Sequence, residues 1–291
     1  MTELSELASI VGAPIPINPP KDIWLKGANG KQLHGQHWGA TGPRVLLLHG
    51  GAQSAETWTL VCLLLQADFQ CIAMDLRGHG DSEWDEDYTI KAHVLDVTSA
   101  IQQLEWSSFH LVGMSLGGVV AAHFTLSQIE TSVKSLALID VAPGVSFTDI
   151  TRLREFIAAD TVTQGIDALI QEARRLGARQ SDTELRFRYT ALTRQDAGGT
   201  YRWKRDDRKP ADYAHILEHI EVLNSRANDF HCPVLLVRGG RSRILTEQAA
   251  REFVAKCPAA LLAIVDRAGH SVQEDNPIDL AAELQRFWRS G

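Results

Sequence analysis

Six short apolar runs recur along the chain: 45–49 (VLLLH), 71–75 (CIAMD), 109–114 (FHLVGM), 135–140 (SLALID), 233–238 (PVLLVR) and 261–266 (LLAIVD). Each is continuous rather than alternating, which predicts strands buried on both faces. Between them lie longer stretches of helical period, at about 54–67, 89–105, 116–129, 246–256 and 276–289. Strand and helix in alternation predict an α/β class, with a mostly parallel central sheet flanked by helices. Two alternating segments, 22–26 and 32–38, flank the turn signal Ala28-Asn29-Gly30 and predict an antiparallel hairpin leading into that sheet.

The rhythm breaks between 142 and 230, where helical patterns continue without a convincing strand. This predicts a helical insertion between two sheet strands rather than an independent domain. The expected division is a core of 22–141 plus 231–291, an insertion of 142–230, and an extended lead-in of 1–21 that holds the Pro-rich stretch Pro14 to Pro20.

Composition narrows the class. A chain of 291 residues buries a large core without disulfide or metal staples. With 44% hydrophobic and 22% charged residues it is neither disordered, collagenous nor a disulfide scaffold. A net charge of -7 argues against a nucleic-acid partner. The stretch 151–210 carries thirteen Lys and Arg against nine Asp and Glu, a balance read as a solvated helical face. Cys62, Cys71, Cys232 and Cys257 have no metal-ligand spacing and lie in or beside apolar runs, as reduced thiols of a cytoplasmic protein do. Glu3 and Glu6 stand where a secretory leader is basic, and no run reaches the length of a membrane span.

Three motifs carry chemistry. Gly113-Met114-Ser115-Leu116-Gly117 follows a predicted strand and opens a predicted helix. This is the G-x-S-x-G pattern, in which a nucleophilic serine sits on a strained strand-to-helix turn. Side chains at 113 and 117 are expected to collide with neighbouring backbone. His49-Gly50-Gly51-Ala52 ends an earlier strand. An acyl-transfer serine needs two backbone N–H groups for the developing oxyanion. Leu116 is the expected source of one, and Gly51 of the other, with Ala52 as second choice. Gly50, Ala52 and Met114 are then candidates for the pocket wall. His270, in Ala268-Gly269-His270-Ser271 after the last predicted strand, is the candidate general base.

With Asp75-Leu76-Arg77-Gly78-His79-Gly80-Asp81-Ser82, these elements resemble the α/β-hydrolase superfamily over about 22–141 and 231–289. Gly199-Thr200-Tyr201-Arg202-Trp203-Lys204 looks like the cap end of small bacterial esterases, and Gly269 to Gln273 followed by Pro277 is similar to mycobacterial-type esterases. The resemblance implies that 142–230 is a helical cap. It also implies a serine hydrolase of carboxylic esters that needs no metal or organic cofactor and takes a small-molecule ester. Lactone, thioester and carbon–carbon hydrolysis are the variants of the same fold, and a non-catalytic binding protein is the alternative.

The chain departs from the family at the triad acid. The usual position follows the strand at 233–238, where Arg243 stands in place of Asp. An Arg cannot accept a hydrogen bond from imidazole. Asp140, in Ile139-Asp140-Val141-Ala142-Pro143, is the first candidate acid, Glu247 the second, and no acid at all the third. Asp75 and His79 are expected to shape the turn around Arg77-Gly78-His79-Gly80. His215-Ile216-Leu217-Glu218-His219 matches the H-x-x-E-H zinc pattern, but is expected to be a partly exposed helix without metal.

Overall fold

The computed structural model describes residues 3–127, 133–146, 162–163, 165–175, 178–206, 208 and 213–290. In chain order, α1 (Glu3–Val11) precedes β1 (Lys21–Lys26), β2 (Gln32–Trp38) and β3 (Arg44–Leu48). A 3-10 turn (Ala55–Trp58) runs into α2 (Thr59–Leu65), then β4 (Gln70–Met74), α3 (Ile90–Leu104), β5 (Phe109–Met114), α4 (Leu116–Ser127) and β6 (Val133–Ile139). Next come β7 (Val162–Thr163), α5 (Ile166–Arg175), α6 (Asp182–Leu192), β8 (Thr193–Gln195), β9 (Tyr201–Trp203) and α7 (Tyr213–Ser225). The chain closes with β10 (Val234–Gly239), α8 (Glu247–Lys256), β11 (Ala260–Val265), the short α9 (Val272–Asp275) and α10 (Pro277–Ser290).

Among the described residues, the central sheet has eight strands in the order β1-β2-β4-β3-β5-β6-β10-β11. The β1–β2 and β2–β4 pairs are antiparallel, and all pairs from β4 to β11 are parallel. The expected hairpin is present, with Gly30 at φ +83° in its turn. Successive residues of the buried strands feed two different cores, as the twofold strand period requires. Leu46, Leu48, Leu111, Leu136 and Leu236 face α3, α4 and α8. Val45, Leu47, Val112, Ala137 and Val237 face α1, α2 and α10. The edge strand β11 is the exception to two-sided burial, with Leu261 and Ile264 exposed.

Two expectations are corrected. The lead-in 1–21 is not extended throughout, because Glu3–Val11 is helical. Leu4, Leu7, Ala8 and Val11 fall at helical spacing, and their packing in the same core as α2 holds the helix. The insertion 142–230 is not purely helical either. Its β7, β9 and β8 form a three-stranded antiparallel sheet. The turn between β8 and β9 is closed by the Asp196 side chain, which accepts from the Gly198 and Thr200 amides, with Gly199 at φ +84°. The end of the helix expected over 116–129 and part of the insertion, including 147–161 and 209–212, lie outside the described residues.

The register sets the site. Leu48 pairs with Gly113, Met114 with Ile139, and Val237 with Ile139. The carboxyl ends of β3, β5, β6 and β10 therefore lie side by side. That edge of a parallel sheet is where α/β proteins build their sites.

Candidate active site

Ser115 is the one residue between β5 and α4, and its φ is +49°, in the left-handed region that side chains other than glycine seldom occupy. The flanking glycines explain how the chain tolerates this. A Cβ at Gly113 would lie 2.3 Å from the Gly117 carbonyl oxygen, and one at Gly117 would lie 2.4 Å from that of Leu48. The turn is pinned on both sides: Ser115 N–H donates to Ile139 O at 3.1 Å, and Gly117 N–H to His49 O at 3.1 Å. Leu116, as the first residue of α4, has no carbonyl of its own helix to donate to.

The loop after β3 lies against this turn. A Cβ at Gly50 would stand 2.4 Å from Met114 Sδ, 2.9 Å from Gln53 Oε1 and 3.4 Å from Ser115 Cβ, so a side chain there would have to displace Met114 and Gln53. Ala52 is also left-handed, at φ +60°. Gly51 has open space around it. The Gly50 amide is already committed, donating to Gln53 Oε1 at 2.9 Å. His49 is buried beneath, where its Nδ1–H donates to the Gly50 carbonyl at 2.7 Å and its Nε2 accepts from Leu76 N–H at 3.0 Å. Those partners fix one neutral tautomer, and burial holds its pKa down.

Asp140 directly follows β6, at φ +52°, and is completely buried. Its Oδ1 accepts from Gly239 N–H at 2.9 Å. Its Oδ2 accepts from Ser242 Oγ–H at 2.5 Å and from His270 Nδ1–H at 2.8 Å. The structure thus joins Asp140 to His270 across 130 residues of sequence. Ser242 carries no sequence signal of this role, lying in the loop where an acid was expected. That loop supplies donors to the carboxylate instead of a carboxylate of its own. Arg238 shapes it by donating to the carbonyls of Leu245, Gly240 and Ser242. Arg243 stands beside Ser242 in the chain and takes no place in the Asp140–His270 contact. Glu247 starts α8 on the surface and pairs with Arg251 at 2.7 Å.

The other singled-out residues have structural partners. Asp75 accepts from the Ala55 and Asp81 amides and from the His34 ring. Although burial opposes its charge, the His34 bond holds its pKa below the ordinary value. His34, Asp75 and Asp81 are the trio among the described residues close enough to share a metal ion, but Asp75 already spends both oxygens on these bonds. His79 Nδ1–H donates to Arg77 O at 3.0 Å, within its own turn, and burial followed by the nearby His49 pushes its pKa down to about 4. On α7, the His219 ring packs edge-on against His215 and against His123 of α4, and His123 Nε2–H donates to the His219 carbonyl.

Comparison with known proteins matches residues 43–277 to the α/β hydrolase fold family. The chain is 30% identical to the esterase Rv0045c of Mycobacterium tuberculosis, over 82% of this chain and 80% of that one. It is 27% identical to a probable protein phosphatase methylesterase 1 of Caenorhabditis elegans, over 86% of this chain and 70% of that one. A solved structure of the mycobacterial esterase superposes with a TM-score of 0.80 at 27% identity, covering 99% of each chain.

Proposed function

This chain belongs to the α/β hydrolase fold family, and we propose that within it the protein is a serine hydrolase that cleaves carboxylic esters through an acyl-enzyme. The observation that carries the reading is the buried Asp140 carboxylate bonded to His270 Nδ1 at 2.8 Å. With Nδ1 held there, Nε2 is the nitrogen left to take a proton. A carboxylate in that place orients the ring and stabilises its cation.

Ser115 Oγ attacks the ester carbonyl while its proton passes to His270 Nε2. The Leu116 and Gly51 N–H groups hold the tetrahedral oxyanion, and the helix start at Leu116 adds a favourable dipole. As the intermediate collapses, the carbon–oxygen bond to the leaving alcohol breaks and the alcohol takes the proton from His270. Water, losing its proton to the same ring, then attacks the acyl carbon; the bond to Ser115 Oγ breaks, the serine takes the proton back from His270, and the carboxylic acid leaves. Gly50, Ala52 and Met114 border the reacting carbonyl.

Segment 142–230 is the cap in this reading. Support comes from the backbone bonds Gly80 N–H to Lys204 O and Asp206 N–H to Gly78 O, which dock its end on the loop after β4. The likeness to an esterase and to a methylesterase supports an ester as the scissile group. Among the described residues no helix is long and apolar enough to cross a membrane, and the four cysteines are buried and free. The free thiols support a cytoplasmic setting.

Turnover of an activated acyl ester tests the proposal. Ser115→Ala and His270→Gln are expected to fall to background while remaining folded. Turnover that survives in Ser115→Ala overturns it.

A further inference from the structure

Gln53 follows the loop that borders Ser115, is almost sealed from solvent, and reaches in two directions at once. Its Oε1 accepts from Gly50 N–H at 2.9 Å and from Gln273 Nε2 at 3.3 Å. Its Nε2 donates to Ser271 Oγ and to Glu274 Oε2, both at 3.2 Å. The Gly50 N–H can only donate, so the amide cannot be turned the other way round. Ser271, Gln273 and Glu274 come directly after His270. One side chain therefore spans the 218 residues between the loop beside Ser115 and the loop that carries the histidine.

The connection continues outward. Glu274 Oε1 pairs with Arg188 Nε at 3.1 Å, and Arg188 lies on α6, inside the segment 142–230. Gln273, completely buried, braces the same junction by donating to Thr57 Oγ1 at 3.0 Å. None of this is needed to bind or transform an ester. It is a run of buried and half-buried polar contacts joining three segments whose relative placement decides whether oxyanion donors, nucleophile and base meet.

We propose that Gln53 is a positioning residue, the middle of a strut Gly50–Gln53–Glu274–Arg188 that fixes the oxyanion loop against the His270 loop and makes both sensitive to the placement of α6. The proposal rests on the catalytic roles assigned above. Its physical basis is that oxyanion donors act only within a narrow distance window. Gly50 is held by Gln53, and its neighbour Gly51 supplies the donor. A shift of one ångström in such a group costs on the order of a hundredfold in rate.

The test is a double-mutant cycle in the full chain, with Gln53→Met, Arg188→Met and the pair. It reads kcat and KM on an activated ester together with the rate of Ser115 modification by a fluorophosphonate. Gln53→Met is expected to lower kcat by roughly 10- to 100-fold, with KM changed little and the urea midpoint showing a folded protein. Gln53→Glu keeps the acceptor for Gly50 but sets a second carboxylate against Glu274, so only together with Glu274→Gln, which supplies the missing donor, is its loss smaller than that of Gln53→Met. The double variant is expected to lose no more than Gln53→Met alone, because the strut is already cut. If Gln53→Met does not fold, Gln53→Glu with Arg188→Met runs the same cycle.

A Gln53→Met kcat within twofold of wild type overturns the positioning role. Losses that simply multiply in the double variant overturn the coupling to α6. A wild-type chain whose Ser115 does not react overturns the catalytic reading itself. That failure is seen in the parent protein before any Gln53 variant is examined.

Discussion

At Asp140 a single carboxylate collects three donors: a backbone amide, a serine hydroxyl and the His270 ring. The first two prepare the third, because they hold the carboxylate in place whether or not the ring is charged. Asp140→Asn is expected to lower kcat by up to about 10⁴-fold with the fold retained, since the amide no longer stabilises the imidazolium. Ser242→Ala removes one charge-assisted bond, worth about 1.5–3 kcal/mol, and is expected to lower kcat by roughly tenfold or more. Glu247→Gln, which only loosens a surface pair with Arg251, is expected to leave kcat unchanged. Steady-state kinetics on one ester reads all three, and a crippled Glu247→Gln beside an unaffected Asp140→Asn reverses the assignment of the acid. The serine and the glycines around it were legible in the sequence because a tight turn leaves a local spacing. Asp140 was legible only as a candidate among three. Ser242 and Gln53 were invisible, since their partners lie about 100 and more than 200 residues away in the chain.

The elements were read well where burial dictates a pattern and poorly where it does not. The strands β3, β4, β5, β6 and β10 are continuous apolar runs because both of their faces are covered. The helix α1 was missed because the nearby prolines suggested an extended segment, although Leu4, Leu7, Ala8 and Val11 have helical spacing. The small sheet of β7, β9 and β8 was missed because strands of two or three residues are too short to show a period. The junction of β5 and α4 is the element on which the site depends most. Gly117→Ala places a methyl group 2.4 Å from the Leu48 carbonyl and 2.5 Å from that of His49. The expected cost is about 1–3 kcal/mol of stability from overpacking, together with loss of Ser115 reactivity. A urea midpoint equal to wild type contradicts this account of the turn.

At the scale of the whole molecule, buried histidines contribute to how stability varies with pH. Burial works against a charged His34, but its bonds to Asp75 and Asp22 outweigh that and raise its pKa to about 9. Since the unfolded value is 6.5, the stabilisation from His34 is complete below about pH 6.5 and is lost as pH rises through about 9. His79 and His110 behave in the opposite sense, because burial lowers both to about 4. The unfolded chain binds those protons first, so stability falls as pH drops from 6.5 towards 4. Urea midpoints are expected to be highest near neutrality, and His34→Gln is expected to lack the alkaline loss. An identical alkaline slope in that variant contradicts the assignment. The central claim is that the sheet edge, its loops and segment 142–230 together make Ser115 reactive. The most direct measurement is the intact mass of the protein after brief exposure to a fluorophosphonate, with Ser115→Ala beside it. The account predicts one adduct on the wild-type chain and none on the variant. No adduct on the wild type, or one that persists in Ser115→Ala, contradicts it.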